Sequence, residues 1–127
     1  MNSEQAGMHA AQRFISAFNA QDHEALAQTL NYPHVRLASG RFVTVESPRD
    51  FAELSRKGEP RLAKEGWHHT EIESISAAQA GDDKVHLAMR INRCREDGSV
   101  YNGFDTMWIA TLADGHWGIQ FRSSFLR

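Results

Sequence analysis

His34 and Arg36 are the residues in this chain best suited to chemistry. They alternate in the run His34-Val35-Arg36-Leu37-Ala38, and on a strand residues two apart share a face. A histidine titrates near neutral pH and would act as acid or base, while a neighbouring guanidinium would anchor a carboxylate or a carbonyl. The competing reading is a pair of exposed polar residues on a short edge strand. Asp105, with Arg90 and Arg122, would form either a network that orients a ligand and perturbs a carboxylate or an ordinary cross-strand ion pair. Tyr32 and Trp67 would face a ligand, or simply close the helices against the sheet.

Other reactive side chains point to less. Ser123 and Ser124 have no base in sequence reach and no nucleophile-elbow motif, so a nucleophilic serine is not expected. His68 and His69 are adjacent, which on a regular strand sends them to opposite faces, and no pair of histidines stands at helical chelating spacing. No metal and no cofactor are therefore expected. Cys94 lies between Arg93 and Arg95, which would lower its pKa, yet no catalytic partner accompanies it.

The elements that must position these groups follow from periodicity. Ser3 would cap a first helix whose Met8, Ala11, Phe14, Ile15 and Phe18 share a face. Asp22 caps a shorter second helix carrying Leu26 and Leu30, which Asn31-Tyr32-Pro33 would stop. Two short strands, 34–38 and 42–46, flank Ser39-Gly40. Ser47-Pro48-Arg49-Asp50 opens a third helix, and Gly58 and Pro60 would break it in two. A weak strand pattern runs from Trp67 to Ala80. Three long strands then occupy Lys84 to Leu126, joined by Asp97-Gly98 and Asp114-Gly115, a pair suited to two-residue hairpins with positive φ at both positions. This is an α+β pattern, helices on one side of a mainly antiparallel sheet.

At 127 residues, 41% hydrophobic and 24% charged, the chain reads as one domain, 1–127. A net charge of −2 without a basic run argues against a nucleic-acid partner. A single cysteine, no secretory signal and no membrane-length apolar stretch fit a soluble, cytoplasmic protein.

The opening Gln12-Arg13-Phe14-Ile15-Ser16-Ala17-Phe18-Asn19-Ala20-Gln21-Asp22 and the closing Asp114-Gly115-His116-Trp117-Gly118-Ile119 resemble the first helix and last hairpin of the NTF2-like superfamily. Its SnoaL-like and ketosteroid-isomerase-like branches fit the order of elements best. The resemblance implies a cone-shaped fold, three N-terminal helices packed on a strongly curved sheet, with a small-molecule pocket and dimerisation through the sheet. The isomerase pattern needs a tyrosine, an aspartate base and a protonated aspartic acid. Those places fall to Phe14, Ala38 and a position near Met107, so isomerisation by that mechanism is not expected.

Counting from the two turns puts Arg90 opposite Asp105 and Asp105 opposite Ser124, with Asn92, Met107 and Arg122 on their face. Val85, Leu87, Met89, Ile91, Phe104, Trp108, Ile119 and Phe121 take the other. Burial would turn the apolar face to the helices. The resemblance instead points Gln120, Arg122 and Ser124 into the cone. Either a homodimer covers the apolar face, with Trp108 in the interface, or a one-residue bulge exchanges the faces. Two functions follow. One is a SnoaL-like pocket protein acting by acid-base chemistry on a carbonyl-containing or aromatic ligand. There His34 carries the proton, Asp105 orients Arg122 or acts as second acid/base, and Arg36, Arg122, Ser124, Tyr32 and Trp67 bind. The other is a non-catalytic homodimeric binding or assembly domain.

Overall fold

The computed structural model describes residues 1–126. Three helices, α1 (Ser3–Ala20), α2 (His23–Ala27) and α3 (Pro48–Glu65), accompany six strands: β1 (Leu30–Ala38), β2 (Arg41–Val45), β3 (His69–Ala80), β4 (Lys84–Cys94), β5 (Val100–Ala113) and β6 (His116–Ser124). The strands form one curved sheet in the order β2-β1-β6-β5-β4-β3. Every pairing is antiparallel except β1 with β6. The α+β reading holds, and the parallel pair makes the sheet mixed.

Local chemistry explains most of the boundaries. Helix α1 begins one residue earlier than Ser3 suggests. Asn2 is the cap, its side chain accepting from the Gln5 amide while Gln5 reaches back to the Asn2 N–H, a reciprocal pair that satisfies two otherwise orphaned donors. Asp22 caps α2 as expected. Leu30 belongs to β1 and not to that helix; the strand runs through Tyr32-Pro33, whose peptide bond is cis. Helix α3 is continuous, although Gly58 and Pro60 lie inside it. Its ends are strongly fixed by the Ser47 cap, Pro48 in the first turn and Gly66 at φ 80° beyond the last, and buried His23 bonds Ser55 (2.7 Å) and Glu59 from α2. Those anchors outweigh a helix-interior proline, whose ring and missing N–H affect one hydrogen bond.

The turns differ. Asp114 (φ 52°) and Gly115 (φ 76°) both take positive φ, the two-residue hairpin that Asp-Gly favours. At the earlier turn only Gly98 does; Asp97 instead accepts from the Ser99 amide at 2.9 Å, and a bulge at Tyr101 restores register.

The decisive irregularity lies in β6. Ala110 pairs with Ile119, yet Ile109 pairs with Phe121, so Gln120 is an extra residue. Beyond it every side chain of β6 changes sides. Arg90 does oppose Asp105, but Ser124 opposes Thr106 and Arg122 opposes Trp108, correcting the count by one. The bulge resolves the conflict of faces. The apolar face carries Val85, Leu87, Met89, Ile91, Phe104 and Trp108 onto α1, where Phe14 meets Trp108 edge-on at 4.8 Å. Arg122 and Ser124 now share that inner face, whereas Phe121 joins the outer one. Trp108 is core and not dimer surface, 3% exposed.

The parallel strand is admitted by Gly118, where a Cβ would lie 2.7 Å from the Leu30 carbonyl carbon and 2.9 Å from the Asn31 nitrogen. Backbone cannot yield as a side chain can. Gly118→Ala is expected to cost about 2 kcal/mol through overpacking between β1 and β6, read as a lower urea midpoint; an unchanged midpoint would mean that the strands part without penalty.

Candidate functional site

One ladder row carries the site. Reading across the sheet, Val43, Arg36, Arg122, Trp108, Leu87 and Ala77 are successive partners on the inner face. Arg36 on β1 and Arg122 on β6 are direct neighbours, and Arg93 on β4 completes three guanidinium groups around a cavity of about 50 Å³. Phe14, Ile15, Phe18, Thr70, Ile91, Phe104, Trp108, Ser124 and Leu126 supply the other walls.

The three cations are not equally compensated. Arg93 bonds Glu65 at 3.3 Å, and the same carboxylate oxygen accepts from the Tyr101 hydroxyl at 2.7 Å. Among the described residues no carboxylate pairs with Arg36 or Arg122. Burial pushes both guanidinium groups below their usual range. Arg36 and Arg93 add to the effect on Arg122; Arg93, Arg61 and Arg41 add to it on Arg36. What surrounds Arg122 is aromatic: its guanidinium lies 4.8 Å from the Phe14 ring centre, 5.9 Å from Trp108 and 6.0 Å from Phe51, contacts in which the ring faces attract a cation without neutralising it.

His34 stands behind Arg122, 1% exposed. Its Nδ1 is 3.1 Å from the Ile119 carbonyl oxygen, and its Nε2 is 3.1 Å from Arg122 Nε. A carbonyl only accepts and a guanidinium only donates, so Nδ1 carries the proton and the Nε2 lone pair receives Arg122. Burial first, then the charges of Arg122 and Arg36, lower its pKa to about 3. At neutral pH this imidazole is uncharged with its lone pair occupied. That geometry supports a positioning role and not the proton-carrying one expected from the sequence.

The sign of the resulting pH effect is fixed. The unfolded chain takes up a proton on His34 as pH falls below its ordinary value near 6.5, while the folded chain resists until about 3. The stability contributed by the neutral ring is complete above 6.5 and lost progressively below it. By pH 5 the loss is about 2 kcal/mol. His34→Gln, which retains a donor and an acceptor, should flatten this part of the curve in denaturant titrations between pH 7 and 5. Parallel curves would place the ring's titration elsewhere.

The remaining expected site residues divide clearly. Ser124 reaches the cavity wall and shares a 2.6 Å hydrogen bond with the Thr106 hydroxyl. Asp105 is exposed on the opposite face, 3.3 Å from Arg90, so the structure does not bring it to Arg122. The Tyr32 hydroxyl donates to the Ala27 carbonyl at 2.6 Å, with its pKa raised by burial. Trp67 donates to the Thr70 hydroxyl at 2.9 Å and packs edge-on against Phe18. Both have packing roles in this geometry. Cys94 is buried, and burial together with Glu71 raises its thiol pKa, opposite to the lowering that Arg93 and Arg95 suggested. Sequence reasoning did not single out Arg93 or Trp108 as site residues. Their only signal is ladder register, and for Trp108 that register depends on the bulge.

Among the described residues no helix is long and apolar enough to cross a membrane. Solved structures with this architecture include an NTF2-like protein with a cystatin-like fold from Novosphingobium aromaticivorans, 15% identical, spanning 97% of this chain and 81% of its own, TM-score 0.75. An NTF-2-like protein of unknown function from Shewanella oneidensis is 15% identical over 95% and 97% of the two chains, TM-score 0.71. A ketosteroid isomerase-like protein from Erwinia carotovora atroseptica is 17% identical over 98% and 95%, TM-score 0.67. At such identities the likeness is one of fold. No curated protein matches the sequence. The family model described as NTF2-like protein (DUF6841) matches residues 5–121, and with the inward sheet face and its arginine row in place, the chain belongs to that NTF2-like family.

Proposed function

We propose that this chain is a small-molecule-binding protein of SnoaL-like architecture, with the cone formed by the helices and inner sheet face receiving a ligand that has an anionic head and an aromatic or apolar body. The observation that carries this reading is the adjacent pair Arg36 and Arg122, drawn to the inner face without a carboxylate partner among the described residues. Partly desolvated cations of this kind are costly unless something anionic joins them. The cavity of about 50 Å³ matches a head group, well short of the roughly 300 Å³ at which whole drug-sized ligands are enclosed. Phe14, Ile15, Phe18 and Phe104 would meet the body.

Binding is favoured over acid-base turnover because His34 has no free lone pair and Asp105 lies across the sheet. Thermal-shift titration with benzoate and phenylacetate, each beside its neutral amide, tests the idea. The carboxylates should raise the melting temperature in a saturable way, the amides should not, and Arg36→Met should remove the difference. Equal responses to acid and amide would sink the anion reading.

The homodimer is also favoured, by a different surface from the one first expected. On the outer face one row reads Phe42, Leu37, Ser123, Met107, Ala88 and Ser76 across all six strands, with Phe42, Leu37 and Met107 exposed. Sedimentation should give a dimer that Met107→Glu converts to a folded monomer. A monomeric parent protein would end this proposal.

A further inference from the structure

We propose a divalent-metal site at the β3–β4 edge, formed by His69 Nε2, a Glu71 carboxylate oxygen and Cys94 Sγ, for a borderline-soft ion such as zinc. The sequence-based exclusion of metal considered His68 with His69, or helical spacing. Cross-strand register supplies a different set. His69 and Cys94 are direct ladder partners and Glu71 lies two residues along β3, so backbone topology alone sends all three donors to one face.

Distances agree with coordination. The three ligating atoms lie within 4.8 Å of one another, and His69 Nε2 is 3.3 Å from Glu71 Oε1. With metal–nitrogen and metal–oxygen bonds near 2.0–2.1 Å, two ligands of a tetrahedral zinc stand about 3.3–3.4 Å apart. The nitrogen–oxygen edge therefore already has its coordinated length, and only the sulfur needs to close in.

Two further features suit an ion. Cys94 is fully buried, and among the described residues its sulfur has a long 3.9 Å contact to the Asn92 carbonyl besides its interaction with Glu71. The ring of His69 is also held on its far side, Nδ1 lying 2.9 Å from His68 Nδ1. If His69 donates that proton, Nε2 turns a lone pair toward Glu71, an acceptor facing an acceptor, which a cation between them satisfies. Fixing the unligated nitrogen is the usual way a metal-bound imidazole is oriented. The Glu71 and His69 side chains are 54% and 28% exposed, leaving a path for the ion and a fourth position for water. Binding would expel the thiol proton to solvent and leave a thiolate on the metal.

Titration of the purified protein with cobalt(II) chloride, followed by absorption, tests the site apart from any pocket ligand. One equivalent should bind with a sulfur-to-cobalt charge-transfer band and the visible bands of tetrahedral cobalt, and zinc should displace it. Cys94→Ser should abolish the charge-transfer band. His69→Ala and Glu71→Gln, both at partly exposed positions, should weaken binding about ten-fold or more, whereas His86→Ala, farther along β4, should leave it intact. Absence of the band in the parent protein, or binding indifferent to His69→Ala and Glu71→Gln, would overturn the assignment even if the buried Cys94→Ser variant failed to fold.

Discussion

His34→Ala is expected to lower the unfolding free energy by about 3–5 kcal/mol, among the largest effects of any single substitution in the chain. Three losses combine. The ring is buried among core residues and leaves a void, the Ile119 carbonyl loses its donor, and Arg122 Nε loses its acceptor in a place where water does not readily replace it. A surface histidine acting as acid or base would behave differently, its removal abolishing function with the melting temperature nearly unchanged. The contrast makes the experiment decisive. Urea unfolding of His34→Ala and His34→Gln beside the parent should rank alanine far below glutamine, the latter losing only about 1 kcal/mol because an amide can offer both hydrogen bonds. If alanine proves as stable as the parent, His34 is not the support described above, and a solvent-facing acid-base role returns.

Arg36→Met should move stability and binding in opposite directions. The long apolar side chain fills similar space without a charge to desolvate, and Arg36 has no carboxylate partner to leave behind among the described residues, so a gain of about 1 kcal/mol is expected. Affinity for benzoate or phenylacetate should fall about 10- to 100-fold, the worth of one charge-assisted hydrogen bond. A binding site maintained at the expense of folding gives this pattern. A substitution that lowered stability and left carboxylate affinity untouched would identify Arg36 as structural and shift the head-group site toward Arg122 and Arg93.

Much of the architecture was legible because it is written in short-range chemistry. Asp22 before an apolar run, Ser47-Pro48 at a helix start and Asp114-Gly115 between alternating segments each act within a few residues, and each appears where expected. What could not be read depends on partners far along the chain. Leu30 looks like the end of a helix until β6 offers it a parallel partner. Gly58 and Pro60 look like a break until α2 holds α3 in place. The candidate site suffered most, since strict counting from the last turn is correct to Ile119 and fails at Gln120. That single residue put Arg122 on the face of Asp105 on paper and opposite Trp108 in the fold. Arg36 was recognised because its strand needs no such count, whereas His34 was recognised for its chemistry while its burial and hydrogen-bond direction, being tertiary facts, could not be read.

The extra residue in β6 also bears on how such a pocket can change over generations. Loss of the Gln120 codon would remove the bulge yet leave Ile119 opposite Ala110 and Phe121 opposite Ile109, so Arg122 and Ser124 would still project inward and the cationic lining would survive the deletion. Chains that share this fold but lack the insertion should therefore be compared by the side from which each residue projects, since an ungapped alignment would equate a pocket wall in one with an outer surface in another.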